Sequence, residues 1–277
     1  MKIVVVGLGV IGGSFIMALK KAGFDDVYGI DINKESLKKA EQSGLIKKGF
    51  TSGEGIIQEA DLIIISLYPR LVKNFILENK DNFKDGAVIT DATGIKKLFI
   101  EDVLNILPPN VDFVFGHPMA GREKKGIDFA SAEVFSGANY IITPVKRNKT
   151  ENIELIENVV KKLGFKRVRR ISPEYHDEMI GYTSQLPHAL AVALVNSDIE
   201  GRETGSFIGD SYRDLTRIAN INEDLWSELF LGNKDNLLKS IENFEIELDK
   251  IKFAIKNDDK EQLKKLFIKS TERREKL

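Results

Sequence analysis

The sequence predicts an α/β fold: a doubly wound domain over residues 1–171, then an all-α domain over residues 172–277. Three observations carry this. The chain opens on a short apolar run that stops at a glycine-rich turn, KIVVVGLGVIGGSF. β-type runs then alternate with helical patterns as far as Ile171, and beyond Ser172 no further β-run occurs. Such alternation belongs to a sheet covered by helices on both faces.

The elements follow in order. Ile3 to Val6 is a continuous β-branched run, as expected of a strand buried on both faces. Gly7 permits the tight turn, Gly9 lets the backbone approach a pyrophosphate, and Gly12 lets the next helix pack closely on the strand. Val10 and Ile11 lie within the same turn, at the head of that helix. A second run, Val27 to Asp31, ends in an acid about 20 residues beyond the last glycine, where a carboxylate takes the ribose hydroxyls of NAD and repels the 2′-phosphate of NADP. Lys34 to Ser43 is amphipathic, Asp61 to Leu67 (DLIIISL) reads as a buried strand and Ala87 to Asp91 as another. Val111 to Gly116 and Asn139 to Thr143 follow, then a helical pattern from Asn152 to Leu163 and an Arg-rich strand near Val168 to Ile171. Ligands in such folds lie beyond the carboxyl ends of the strands. This directs attention to the loops 67–69, 91–96 and 116–121.

Ser172-Pro173-Glu174 is a good helix start. Residues 175–199 are apolar almost all round, which predicts a helix buried on most sides and kinked at Pro187. About 100 residues supply few partners for such a helix, so a homodimer formed through this region is expected. The tail from Glu247 to Leu277 is charged and helical, with a solvated face.

Composition narrows the function. With 41 Lys plus Arg against 42 Asp plus Glu, the chain has no general attraction for nucleic acid or anionic membrane. No apolar run approaches a membrane span, and a strand that starts near residue 2 leaves no room for a cleaved leader, so a cytoplasmic protein is expected. The absence of Cys excludes thiolate catalysis, and three His, at 117, 176 and 188, offer no His-rich metal cluster.

Three segments carry candidate chemistry. His117, between Gly116 and Pro118 at a strand end, is held by its loop and suits proton transfer beside a nicotinamide; as a merely structural loop residue it would satisfy backbone groups. Because imidazole titrates near pH 6.5, activity is expected to fall on the acid side of that value. His188, in SQLPH, lies where Pro187 frees carbonyls and opens space, or else is a satisfied core residue. Arg213 and Arg217 stand four apart on one helical face, as a carboxylate clamp or as partners of nearby acids.

These blocks together resemble the prephenate dehydrogenase family, whose members act on prephenate or on arogenate. GLGVIGGS, DATGIK (91–96), GHPMAG (116–121), SQLPH (184–188), DLTRIA (214–219) and Trp226 carry the resemblance along nearly the whole chain. It implies a Rossmann-like NAD-binding domain, an all-α dimerisation domain and an active site between them. His117 would accept the proton of the ring hydroxyl as hydride leaves for NAD, His188 would hydrogen-bond the small-molecule substrate, and Arg217 would hold a carboxylate. The chain departs from the pattern at Gly94, where many members have Ser, leaving Thr93 to serve the cofactor side. It departs again at Arg122, where many have Ser or Thr, and at Asp210-Ser211, which replace Gly-Gly. Asp210, Glu223 or Asp224 could meet the ammonium of arogenate. Two further readings are a β-hydroxyacid dehydrogenase using Lys96 and a non-catalytic NAD-responsive regulator.

Overall fold

The computed structural model describes residues 1–121 and 124–276. Eight strands form one sheet: β1 (Ile3–Val6), β2 (Val27–Ile30), β3 (Gly49–Phe50), β4 (Leu62–Ile65), β5 (Val88–Asp91), β6 (Asp112–Pro118), β7 (Asn139–Thr143) and β8 (Arg167–Arg170). Their spatial order is β3-β2-β1-β4-β5-β6-β7-β8. β1 to β6 run parallel, whereas β7 is antiparallel to β6, pairing Phe115 with Thr143 and His117 with Ile141. β8 is parallel to β7.

Period-two alternation sends Ile3 and Val5 to one face of the sheet and Val4 and Val6 to the other. On the first face they pack with Phe15 and Leu19 of α1 (Val10–Lys21) and Ile153, Ile156 and Val160 of α5 (Thr150–Lys162). On the second lie Val72 and Ile76 of α3 (Pro69–Asn79) and Phe99 and Val103 of α4 (Lys97–Ile106). The amphipathic stretch after Asp31 is α2 (Lys34–Gln42), capped by Asn33, whose side chain accepts from the Glu35 and Ser36 amides. Strand order reverses between β1 and β4, which opens a crevice at their carboxyl ends.

The rest is helical: α6 (Pro173–Ile180), a π-helical turn (Gly181–Gln185), α7 (Leu186–Asn196), α8 (Asp210–Thr216), α9 (Glu223–Gly232), α10 (Lys234–Lys256) and α11 (Lys260–Arg274). The Ser172 hydroxyl accepts from the Tyr175 amide at 3.2 Å and Pro173 opens the first turn, as the Ser-Pro-Glu start requires. The π-turn runs straight into α7 and widens the helical ladder just ahead of Pro187, whose missing N–H cannot take part in it. Pro187 therefore lies inside one helical run from Pro173 to Asn196, directly after the π-turn. Gly181 lets this turn approach α10 closely: a Cβ there would lie 3.2 Å from that of Asn236.

The expectation of a helix buried on most sides is not met within one chain. Only Leu186 and Ala191 of α7 are buried, and Leu194 and Val195 are exposed. The apolar surface exists, but none of the described residues of the same chain covers it.

Candidate functional site between the sheet and the helices

The glycine turn leaves β1 as predicted, and each glycine has a steric reason. Gly7 has φ of +85°, and a Cβ there would lie 2.7 Å from the Ser66 carbonyl oxygen. A Cβ on Gly12 would lie 1.7 Å from the Gly7 oxygen, so strand and helix approach only because Gly12 has no side chain. Around Gly9 nothing lies within 4 Å of a Cβ position, so the backbone faces open space there. Gly9 is also the N-cap of α1 and supplies no side-chain acceptor, which leaves the first-turn amides of Val10, Ile11 and Gly12 available to an anion. Asp31 braces the rim: its carboxylate accepts from the Leu8 amide at 2.5 Å and the Asn33 amide at 2.7 Å. The Ser66 hydroxyl, at the end of β4, is buried and lacks a hydrogen-bond partner. An open cradle, uncapped amides and a braced carboxylate fit a dinucleotide.

Below the next two strand ends sits a buried ionic cluster. Lys96 and Asp91 are both fully buried, and the ammonium donates to Asp91 Oδ2 at 2.6 Å, the Gly116 carbonyl at 2.5 Å, Thr93 Oγ1 at 3.0 Å and the Thr93 carbonyl at 3.1 Å. Asp91 Oδ1 accepts from the Gly116 amide at 3.0 Å. Burial pulls the Lys96 ammonium below its usual range, while Asp91 and then Asp177 oppose that pull. Thr93, expected on the cofactor side, is instead turned inward: it is 3% exposed, and its hydroxyl is engaged with Asp91, Lys96 and the Ile95 carbonyl. A buried charge pair needs every available dipole, and Thr93 is spent on it. The same burial removes Lys96 from consideration as a base that touches substrate.

His117 stands directly above this cluster, on β6. Its Nδ1 lies 2.8 Å from His176 Nε2, and His176 Nδ1 lies 2.7 Å from Asp177 Oδ1. Asp177 in turn accepts from the amides of Lys96 at 2.9 Å and Lys97 at 2.8 Å, capping α4 from the helical side. Burial drives the His117 imidazole well below its ordinary pKa of 6.5, helped by His176 and Lys96. Sequence reasoning passed over His176 and Asp177. The available signal was an adjacent His-Asp one turn into a helix that leaves the sheet domain, but its partner is 59 residues away.

The other ring nitrogen of His117 faces the helices. Nε2 lies 3.8 Å from the Cβ position of Gly94, and that position is 3.2 Å from Leu229 on α9. One turn earlier on α9, Trp226 stacks on His188 with ring centroids 3.7 Å apart. The Ser184 carbonyl accepts from His188 Nδ1 at 2.8 Å, which leaves His188 Nε2 as the nitrogen without that proton. His117, Gly94, Leu229, Trp226 and His188 thus follow one another along a single wall. Arg217 opens a 3-10 turn (Arg217–Ala219) that packs against α7, on the helix that carries His188, and its residue is exposed. Arg213, its companion in sequence, pairs with Asp210 at 3.0 Å. The lobes are also joined where Arg70 pairs with Glu228 and where Asn222 donates to the Tyr68 hydroxyl at 2.8 Å. Arg122 lies outside the described residues.

Among the described residues no group of three or more His, Cys, Asp or Glu could hold a metal ion, and no helix is long and apolar enough to cross a membrane.

A glycine-turn α/β domain joined to an all-α domain, with ionisable groups meeting at the seam, defines a two-domain protein of the dinucleotide-dependent dehydrogenase class. Residues 15–169 match the family described as prephenate dehydrogenase, nucleotide-binding domain, and residues 172–269 match its dimerization domain. The chain belongs to the prephenate dehydrogenase family. It is 32% identical over 272 residues to the prephenate dehydrogenase of Bacillus subtilis, an alignment spanning 96% of this chain and 73% of that protein. The crystal structure of prephenate dehydrogenase from A. aeolicus in complex with hydroxyphenyl propionate and NAD+ superposes with a TM-score of 0.90 at 33% identity, covering 99% of this chain and 98% of that one. Synechocystis arogenate dehydrogenase superposes with a TM-score of 0.83 at 26% identity, covering 100% and 99%.

Proposed function

We propose that this chain catalyses the NAD-dependent oxidative decarboxylation of prephenate to 4-hydroxyphenylpyruvate in tyrosine biosynthesis. The observation that carries the reading is the wall running from His117 through Leu229 and Trp226 to His188, which joins a proton acceptor of the sheet domain to the polar groups of the helical one. Residues 1–171 act as the nucleotide-binding lobe, and residues 172–277 bind substrate and form a homodimer in the cytoplasm. Gly7, Gly9, Val10, Ile11 and Gly12 hold the pyrophosphate at the head of α1, and Asp31 takes the adenosine ribose. NAD supplies the hydride acceptor for the ring carbon that bears the hydroxyl.

His117 takes the hydroxyl proton as that carbon loses its hydride, producing a dienone. Loss of carbon dioxide then passes the bonding pair through the ring to the oxygen, and His117 returns the proton to the resulting phenolate. Proton and charge balance without another reactant, and aromatisation makes the step irreversible. Arg217 grips the ring carboxylate, and His188 hydrogen-bonds the bound substrate. A low imidazole pKa suits this task, because the base is unprotonated at neutral pH.

Prephenate is favoured over arogenate by the state of two acids that could meet an ammonium. Asp210 already faces Arg213, and Glu223 faces Lys125 at 3.3 Å. Absorbance at 340 nm with NAD and each substrate tests the reading. Prephenate is expected to give the larger kcat/KM by about tenfold or more, the discrimination a mismatched charge imposes. A preference for arogenate would reverse the substrate assignment, and no NADH from either would reject the activity.

A further inference from the structure

The seam between the lobes contains more than a base. His117 belongs to the sheet domain, His176 and Asp177 to α6 of the helical domain, and the three are in hydrogen-bond contact in series. Asp177 is 1% exposed and held by two backbone amides at the start of α4, so its carboxylate has a fixed position. A carboxylate only accepts. His176 must therefore carry its proton on Nδ1, and a neutral His176 then presents Nε2 as a lone pair. His176 is 1% exposed beside the Lys96 ammonium, surroundings that disfavour a second proton on its ring. His117 Nδ1 faces that lone pair at 2.8 Å and must donate to it. With its single proton on Nδ1, His117 has its lone pair on Nε2, the nitrogen that faces Gly94 and Leu229 at the wall described above.

We propose that His176 and Asp177 are positioning residues that hold His117 in its Nδ1-protonated tautomer, so that the helical lobe arms the base of the nucleotide-binding lobe. The proposal deepens the reading of His117 as proton acceptor and rests on it. When Nε2 takes the hydroxyl proton, the imidazolium that forms stays hydrogen-bonded through His176 to the Asp177 carboxylate, which stabilises the charge without itself becoming protonated. The logic is that of a carboxylate orienting a catalytic histidine, extended by one ring. It also explains why the two lobes touch here through polar groups: separating α6 from α4 would release Asp177 from its amides and His117 from its tautomer together.

The chain has only three His, so imidazole 15N spectroscopy of the full-length, histidine-labelled protein resolves each ring. The expected wild-type result at neutral pH is a protonated Nδ1 and a bare Nε2 on His117. In His176→Leu, which cannot accept, the His117 proton is expected to move to Nε2 or to exchange between both nitrogens. Its kcat should fall by about 10²-fold or more, with KM and NAD affinity much less affected. His176→Gln restores an acceptor through Oε1 and should regain the Nδ1 proton and about tenfold or more of the lost kcat. A wild-type His117 protonated on Nε2 overturns the proposal outright, and that measurement stands even if the Leu variant does not fold. An unchanged tautomer or an unchanged kcat in a folded His176→Leu protein overturns it as well. If wild-type enzyme shows the expected tautomer yet oxidises neither prephenate nor arogenate, the reading of the activity fails while the assignment of the proton survives.

Discussion

At the scale of single residues, the ring of His117 decides how the activity depends on pH. An imidazole in water is half protonated near pH 6.5, which is where sequence alone places the loss of activity. The structure moves that limb. Burial, the neighbouring His176 and the Lys96 ammonium all favour the neutral ring, so the folded-state pKa lies well below 6.5. Protonated His117 cannot accept a proton; kcat/KM is therefore expected to stay level from pH 8 down through 6.5 and to fall only below it. A midpoint at or above 6.5 would contradict the environment described for the ring. His117→Asn should still bind NAD, as nucleotide titration would show, while losing about 10² to 10⁴ in kcat, the usual contribution of a general base. Arg217 acts differently, through charge-assisted bonds to a carboxylate that is present before and after hydride transfer. Arg217→Ala should raise KM by about 1.5 to 3 kcal/mol of lost binding with a smaller effect on kcat. Steady-state kinetics with an unaltered KM would exclude Arg217 from the clamp.

At the scale of elements, the segment DATGIK works as a bolt. Its Asp91 ends β5, its Lys96 caps the approach to α4, and the ammonium reaches across to the Gly116 carbonyl of β6. Two strand ends and a helix start are thereby fixed relative to His117, one residue beyond Gly116. Removing one member of a buried pair costs more than the pair contributes, because the survivor is left charged in a low-dielectric interior. Lys96→Met is thus expected to destabilise the fold by about 3 to 5 kcal/mol, read from denaturant unfolding. A loss within about 0.5 kcal/mol, ordinary for a surface change, would show that the Lys96–Asp91 pair does not hold these elements together. The π-turn before α7 is a second such device. It accommodates Pro187 and hands the Ser184 carbonyl to the His188 ring, so a break in helical hydrogen bonding becomes the means of orienting a site residue.

At the scale of the whole molecule, the helical part of one chain is unfinished. Phe207 is 84% exposed, Leu231 74% and Phe253 67%, and Leu194, Val195 and Ile199 add to the same kind of surface. Monomeric proteins rarely leave so much apolar surface in water. Sedimentation equilibrium is expected to give twice the 31.1 kDa of one chain, and a monomer at micromolar concentration would reject the homodimer. Much of this was legible from the chain alone where the cause is local. The glycine turn, Asp31 and the β-branched strands follow from sterics and periodicity within a few residues, and these determined the nucleotide-binding architecture, whereas His117, expected in a strand-end loop, lies within β6 and pairs with Ile141. The two-residue strand β3 is too short to show a period, and the antiparallel sense of β7 leaves no trace in an alternation of apolar residues that reads the same in both directions. The sequence could show that Lys96 and Thr93 carry useful chemistry but not that burial commits both to Asp91. Nor could it show that His117, His176 and Asp177 stand in series, since contacts spanning 59 and 81 residues depend on how the two lobes dock. Local stereochemistry therefore determined where a nucleotide could bind, whereas the electrostatics and proton positions around the base were decided only by tertiary packing, which sets what each charge faces and how much water remains beside it.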